Sequence, residues 1–181
     1  MALGVYCTLA VCFVLYLAQG VMTASEYWTC FISGIKNMLN SLILMVLAFL
    51  FAKVNEQIGF TYYMIHVSES FMTPQFMPLV VFIVLSITEF VTGTNWGMYV
   101  IALPIVIPLA KDLGVNVALA VSAVISAGVF GSHICFYSDA TVITSAATGC
   151  DNFAHAKTQV PYGLLAAAVT MVMYLIAGFI F

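Results

Sequence analysis

The sequence predicts an all-α integral membrane protein with a re-entrant helical hairpin and a discontinuous transmembrane helix. The chain is 64% hydrophobic and only 6% charged. Roughly 25% of the residues of a soluble domain are charged, so this chain has too few polar groups to cover a surface in water. Polar residues interrupt its apolar runs at residues 92–95 and 131–133, as in broken membrane helices. We expect a single membrane domain over residues 1–181.

Charge and cysteine content exclude several classes of protein. The net charge of -3 leaves no basic stripe, so we expect no nucleic-acid partner. The five cysteines form no CxxC pair, and therefore predict neither a disulfide framework nor a metal site. No positive flank or cleavage pattern accompanies the first apolar run, so we expect it to stay as a helix.

The first third of the chain predicts two spans. Residues 2–19 are almost free of polar groups and are long enough to cross a hydrocarbon core of roughly 30 Å. Residues 20–33 mix polar and aromatic side chains, which favours a loop with an aromatic belt at the headgroups. Residues 35–53 form the second span, with Lys36 and Lys53 near its two ends, where they can reach the interface.

Residues 54–74 combine charged and amide side chains with aromatic ones. This segment is too polar to cross a bilayer and too aromatic for a loop in water. We therefore expect a helix that lies in the membrane interface. His66 is interpreted as one of its interfacial polar groups.

Two short apolar runs predict the hairpin. Residues 76–91 and 96–110 flank a Thr-Gly-Thr-Asn sequence at 92–95. At 1.5 Å per residue each run reaches about 21 to 24 Å, which is less than the thickness of the core. Irregular backbone at membrane depth is tolerated only where lipid is excluded, so we expect a re-entrant hairpin with a buried tip. A pair of ordinary short spans stays open as an alternative, and residues 111–116 form the polar turn that follows.

The discontinuous helix is predicted over residues 117–148, with its break at Gly131-Ser132-His133. A break of this kind frees backbone carbonyls and creates a half-helix N-terminus, which together form an ion site near the middle of the membrane. Residues 149–158 then leave the membrane. Pro161 suits the first turn of a helix, so residues 162–181 are expected to form the last span.

Glu89 and Asp139 are acidic residues inside apolar stretches. Such a residue costs about 2.5 to 3.5 kcal/mol at the centre of a membrane helix, so we expect a functional role for both, facing one cavity. Asp139 should be charged when a cation is bound and take up a proton when the cation leaves. Two other interpretations stay open: Asp139 caps a half-helix together with Ser138, and Glu89 pairs with a polar group of a neighbouring helix.

Neutral oxygen ligands accompany the two acids. Hard cations such as Na+ prefer oxygen ligands, and carbonyls freed at the breaks add more. The hydroxyl and amide side chains that offer such oxygens in or after the two breaks are Thr92, Thr94, Asn95, Ser138 and Thr141. We expect Asp139, Thr94 and Asn95 to bind Na+.

Ser132 and His133 complete the set of candidate site residues. His133 has the side chain that can carry a proton near neutral pH, although it could equally be tied to a backbone carbonyl. Adjacent Ser and His residues do not indicate a hydrolytic dyad, and no GxSxG motif is present. We therefore do not expect an enzyme.

Two regions resemble a known family. Residues 138–141 (SDAT), 145–151 (SAATGCD) and 155–162 (HAKTQVPY) are similar to the broken-helix and exit-loop signature of NhaC-type sodium/proton antiporters. Residues 92–97 (TGTNWG) resemble that family's hairpin-tip motif, which usually has Ser in place of Asn. The resemblance covers residues 34–181, but the Gly-Ser-His-Ile-Cys-Phe of the break lacks an acid and a proline of the family pattern Gly-Asp-His-Cys-Ser-Pro.

The resemblance implies the C-terminal half of an inverted-repeat secondary transporter that exchanges Na+ for H+ between the 92–97 tip and the 131–141 break. It implies a multi-pass protein of the bacterial plasma membrane, with the lipid bilayer and the N-terminal half of the transporter or a second copy as partners. No cofactor is expected besides the transported ions. A Na+-coupled transporter of organic acids or amino acids and a non-transporting membrane subunit stay open as alternatives.

Overall fold

The computed structural model describes residues 2–68 and 71–180, and these form helices without any strand. The prediction of an all-helical chain is confirmed. Contacts divide the chain into two compact units, Met1–Leu42 and Ile43–Phe181. The helices are α1 (Ala2–Ala18), α2 (Ala24–Gln57), α3 (Phe60–Ser68), α4 (Met77–Thr92), α5 (Asn95–Asp112), α6 (Val117–Ile134), α7 (Asp139–Thr148) and α8 (Asn152–Ile180).

A capping box starts α2 at Ala24, so the loop predicted for residues 20–33 is wrong. The backbone N–H of Thr23 donates to Glu26 Oε2 at 2.7 Å, and the Glu26 N–H donates back to Thr23 Oγ1 at 3.3 Å. This reciprocal pairing satisfies two N–H groups that a helix start would otherwise leave free. The aromatic residues of the predicted loop therefore lie on the first turns of a helix.

Tyr27 joins these first turns of α2 to α1. Its hydroxyl donates to the Leu9 carbonyl oxygen at 3.1 Å, and its ring meets Phe13 edge to face with centroids 4.9 Å apart. The 17 residues of α1 reach about 25 Å, near the lower limit for crossing a bilayer.

Gly59 divides the region predicted as one interfacial helix over 54–74. Its φ of 70° is a left-handed conformation that ends α2, and residues 42–57 and 60–67 lie on helices bent by 53°. That single-helix prediction is therefore wrong, and part of it falls on residues 69–70, outside the described chain. The location in the interface stays a prediction. His66 stacks on Tyr62 with ring centroids 6.2 Å apart.

The core of the second unit lies where α4, α5 and α8 pack around α6. Small side chains on α6 allow the neighbouring helices to approach closely, a feature of membrane helix packing. Tyr99 of α5 lies against Gly128 and donates its hydroxyl proton to the Ile125 carbonyl oxygen at 3.1 Å. The buried core residues include Val81, Leu85, Ala102, Val106, Ala120, Ala123, Val124 and Ala127.

A two-residue turn connects α4 and α5 where the sequence predicts the hairpin tip. Gly93 ends α4 with a φ of 70°, and its N–H donates to the Glu89 carbonyl oxygen. Helix α5 begins at Asn95 and continues through Pro104 and Pro108 to Asp112. The position of the tip is therefore that expected, while its re-entrant topology stays a prediction.

The break between α6 and α7 lies at residues 135–138, not at 131–133 as predicted. Ser132 donates its hydroxyl to the Val129 carbonyl oxygen of its own helix at 3.1 Å. The Cys135 N–H donates to the Gly131 carbonyl oxygen at 3.0 Å. Gly131 and Ser132 are thus part of the helix rather than of the break.

Helix α8 begins at Asn152, so most of the predicted exit segment over 149–158 is helical. Its departure from the membrane stays a prediction. Asp151 Oδ1 accepts a hydrogen bond from the Ala154 N–H at 2.8 Å, which caps the helix start. Pro161 consequently lies inside the helix. By length and hydropathy, α6 and α8 could each cross a membrane, and residues 42–57 with 60–67 could form a third, bent span.

Candidate functional site

Glu89 is the centre of the candidate site. It lies about one turn before the end of α4, has no exposed surface, and neither of its carboxyl oxygens has a hydrogen-bond partner among the described residues. A Cβ at Gly131 would lie 2.5 Å from the Cβ of Glu89. The absence of a side chain at residue 131 therefore allows α6 to approach α4 at the level of the acid.

Three more buried oxygens near Glu89 have no partner in the described chain: Ser86 Oγ, Thr92 Oγ1 and Asn95 Oδ1. Ser86 and Thr92 lie three residues before and after Glu89, so they share one side of α4 with it. Buried polar groups are almost always paired, and oxygen acceptors are the groups that coordinate a hard cation. Sequence reasoning missed Ser86, although its spacing from Glu89 was a visible signal.

Tyr137 ties the break between α6 and α7 to the hairpin tip. Its hydroxyl lies 2.5 Å from the Val91 carbonyl oxygen and 3.0 Å from that of Phe90, at the end of α4. Its ring lies against Gly93, where a Cβ would be 2.7 Å from Tyr137 Cε2 and 3.5 Å from Cys135 Sγ. The two interruptions of the sequence thus meet in space. Neither Tyr137 nor Cys135 was among the predicted site residues.

Ser138 and Thr141 form hydrogen bonds to the C-terminal end of α6. The hydroxyls of both lie within hydrogen-bond distance of the Ser132 carbonyl oxygen, at 2.5 and 3.2 Å, and Ser138 Oγ also accepts from the Thr141 N–H. They thereby satisfy a carbonyl freed at the helix end and an N–H at the start of α7. The structure brings these three predicted residues together as a hydrogen-bonded cluster.

Asp139 is the first residue of α7 and is half-buried. Its Oδ1 accepts a hydrogen bond from the Ala140 N–H at 2.8 Å, and its negative charge suits the helix N-terminus. It is also close enough to Glu89 for electrostatic repulsion between the two carboxylates. The geometry at Asp139 therefore contains the capping arrangement, while its negative charge acts on the central acid.

His133 and Thr94 line two different cavities. His133 is exposed and lines a groove of 430 Å³ together with Gln159 and Tyr162, which does not include Glu89. Thr94 lines a cavity of 190 Å³ together with Thr92. The structure therefore places Thr94 next to the central cluster and His133 on another side of α6.

Comparisons with known proteins show which family this sequence belongs to. An uncharacterised protein of Haemophilus influenzae is 28% identical over 180 residues, covering 99% of this chain and 35% of the relative. A malate-2H+/Na+-lactate antiporter of Bacillus subtilis is 28% identical over 118 residues, covering 65% of this chain and 25% of the relative. An uncharacterised Na+/H+ antiporter of Haemophilus influenzae is 29% identical over 113 residues, covering 60% of this chain and 24% of the relative.

The chain thus spans about a third of the length of the first relative and about a quarter of the other two. No solved structure matches it. Residues 1–179, nearly the whole chain, match the sequence pattern of the Na+/H+ antiporter family. The chain therefore belongs to the Na+/H+ antiporter family.

Proposed function

We propose that the complete transporter containing this chain exchanges Na+ for H+, and that Glu89 binds the two ions in alternation. The observation that carries this proposal is the isolation of the Glu89 carboxyl, which is fully buried and has no hydrogen-bond partner within residues 2–68 and 71–180. An ionised carboxylate in such a place is very costly unless a positive charge accompanies it. A bound Na+ or a bound proton would each remove that cost.

Competition between the two ions follows from this arrangement. When Na+ occupies the site, Glu89 stays ionised, and Thr92 Oγ1 and Asn95 Oδ1 supply neutral oxygens. When Na+ leaves, the carboxylate takes up a proton, because no other described group neutralises it. One carboxyl that cannot hold both ions at once couples the movement of one to the movement of the other.

The sequence predicts that Asp139 takes up the proton when the cation leaves, whereas we assign this role to Glu89. Asp139 is half-buried and engaged with the N-terminus of α7, so its charge is stabilised without a bound cation. Its repulsion of the ionised Glu89 carboxylate favours the arrival of any cation between them. Asp139 therefore tunes the site, whereas Glu89 carries the ions.

The rest of the transporter completes the path across the membrane. The chain spans 35% of the relative that covers it almost fully. We place the complete protein in the bacterial plasma membrane, and assign the missing surfaces to the N-terminal part of an NhaC-type transporter or to a second copy. Alternating access would then move these parts against each other around Glu89.

Exchange coupled to an organic acid is a second candidate function. It rests on the similarity to the malate-2H+/Na+-lactate antiporter of Bacillus subtilis. In this case Na+ and H+ would still bind to Glu89 in alternation, and a carboxylate substrate would bind in addition. The two candidates differ in whether an organic acid is required for sodium movement.

Reconstitution of the complete transporter in proteoliposomes tests both. An inward Na+ gradient should drive proton efflux, measured with a pH-sensitive dye in the lumen, and Glu89→Gln should abolish this flux. Addition of lactate or malate should leave the flux unchanged if the exchange involves cations alone. A stable Glu89→Gln variant with wild-type sodium-driven flux would refute the role of Glu89.

A further inference from the structure

A cavity of 190 Å³ lies beside the hairpin tip and has no part in the predicted site apart from Thr92 and Thr94. Its walls come from four helices, α2 to α5, and from Thr94 in the turn between α4 and α5. The polar residues that line it are Lys53 and Glu56 of α2, Thr61 of α3, and Thr92 and Thr94.

Thr92 borders both this cavity and the Glu89 cluster. The residue lines the cavity but is only 5% exposed, and its Oγ1 has no partner in the described chain. It lies three residues after Glu89 on α4, so the two side chains share one side of that helix. Thr92 is therefore the side chain that separates the cavity from the buried acid.

The size and chemistry of the cavity suit a small hydrated cation. At about 30 Å³ per water molecule, 190 Å³ accommodates roughly six waters, enough for a cation with much of its first hydration shell. The hydroxyl oxygens of Thr61 and Thr94 can replace some of those waters. Oxygen atoms are the ligands that hard cations prefer.

An ion pair lies at the side of the cavity formed by α2. Lys53 Nζ donates to Glu56 Oε2 at 2.8 Å, and the two side chains are 63% and 49% exposed. Ion pairs this exposed contribute about 0 to 1 kcal/mol, so the pair separates easily. Glu56 can then attract a cation, while Lys53 opposes it and competes for the same carboxylate.

We propose that this cavity is the entry chamber through which hydrated Na+ reaches Glu89, with Glu56 as the residue that attracts the ion. Lys53 is a positioning residue that holds Glu56 and lowers the local concentration of cations. The proposal rests on the proposed function, since Glu89 is the destination. It adds a binding site outside the ion-carrying cluster and names Na+ with its water as the ligand.

Thiol reactivity tests the chamber without reference to transport. In the complete protein with Cys7, Cys30 and Cys150 replaced by Ser, Thr94→Cys should react with a small water-soluble cationic methanethiosulfonate in membrane vesicles. A high concentration of Na+ should slow the reaction at least threefold relative to choline. Ala123→Cys, placed in the core, is the matched control and should not react. An unreactive Thr94→Cys in a protein of normal stability would overturn the proposal.

Sodium kinetics test the two charged residues. Lys53→Gln should lower the apparent KM for Na+ by about threefold or more at low ionic strength, because a free Glu56 attracts cations, and Glu56→Gln should raise it similarly. Maximal rates should stay unchanged, and the differences should shrink in high salt. Lys157→Gln removes a charge outside the cavity and should leave KM unchanged.

The outcomes separate this proposal from the proposed function. If the wild-type protein shows no sodium-dependent proton flux while Thr94→Cys reacts and is protected by Na+, the exchange proposal fails and the chamber stands. If exchange depends on Glu89 but neither Lys53→Gln nor Glu56→Gln changes KM, the chamber is wrong. Faster reaction of Thr94→Cys with an anionic than with a cationic reagent would also overturn it, since the cavity would then admit anions.

Discussion

The Cβ of Glu89 lies 2.5 Å from the position that a Cβ on Gly131 would occupy. The acid and the glycine lie on α4 and α6, so these helices are tightly packed at the level of the buried acid. Atoms near the backbone of Glu89 fill the space, and such atoms cannot move aside as the end of a long side chain can. Helix packing therefore fixes the height of the carboxyl within the core.

Gly131→Ala should destabilise the protein by about 1 to 3 kcal/mol, because the added methyl group overpacks the contact. Transport should fall with it, since α4 must shift and carry Glu89 along. Gly34→Ala is the control, because no atom lies within 4 Å of a Cβ at Gly34 and Ala favours the helix. Thermal unfolding in detergent measures both variants, and equal melting temperatures would contradict the prediction.

Glu89→Gln and Asp139→Asn should have different effects on exchange. Both keep side-chain shape and remove the charge, but only Glu89 lies in the isolated buried position. Glu89→Gln should therefore abolish sodium-driven proton flux with little loss of stability, because the amide neither loses a proton nor needs a cation. Asp139→Asn should keep the flux and shift its dependence on pH.

Sodium-driven flux recorded across a range of pH distinguishes these outcomes, with melting temperatures as a check on folding. Loss of flux in Asp139→Asn together with retention in Glu89→Gln would mean that Asp139, as expected from the sequence, binds the ions. Loss in both would show that the two carboxyls act as one coupled pair.

Sequence reasoning located the hairpin tip because its cause is local. Gly93 adopts a left-handed conformation that glycine tolerates best, and polar residues surround it in an otherwise apolar stretch. Thr23 and Glu26 have the spacing of a capping box, which is a sequence signal for the start of α2. The aromatic residues that follow nevertheless led to the prediction of a loop. Local signals of this kind decide helix ends.

The break after α6 was misplaced because its cause is not local. Gly131 and Ser132 look like helix breakers, but the glycine is required by the contact with Glu89 of another helix. The true break at 135–138 is held by Tyr137, whose partners Phe90 and Val91 lie 47 and 46 residues away in sequence. No periodicity in a single sequence indicates such a contact.

Tyr137→Phe should loosen the attachment of the break to the hairpin tip. The variant keeps the ring on Gly93 but removes the hydroxyl that bonds to the carbonyls at the end of α4. We expect a loss of about 1 to 3 kcal/mol, since a partly buried acceptor is left without its donor. Tyr162→Phe is the control because Tyr162 is 75% exposed. A melting temperature for Tyr137→Phe equal to that of the control would show that the contact contributes nothing.

The polar tip also predicts the topology of the hairpin. Helices α4 and α5 have 16 and 18 residues and would reach about 24 and 27 Å, short of a full hydrocarbon core of roughly 30 Å. Thr92 Oγ1 and Asn95 Oδ1 lie buried at the turn without a partner in the part of the chain that the structure describes, whereas a turn at the membrane surface would offer water to both. A tip inside the protein explains both observations and places Pro74 and Lys111 on the same side of the membrane.

Cysteines introduced as Pro74→Cys and Lys111→Cys should therefore react with a membrane-impermeant maleimide from the same face of sealed vesicles. Both positions are exposed, so a lack of labelling from one face reflects the membrane rather than burial in the protein. Vesicles opened with detergent give the total reactivity of each site and serve as the control. Labelling of the two cysteines from opposite faces would mean that α4 and α5 together cross the membrane once, with the Gly93 turn as a kink within the span.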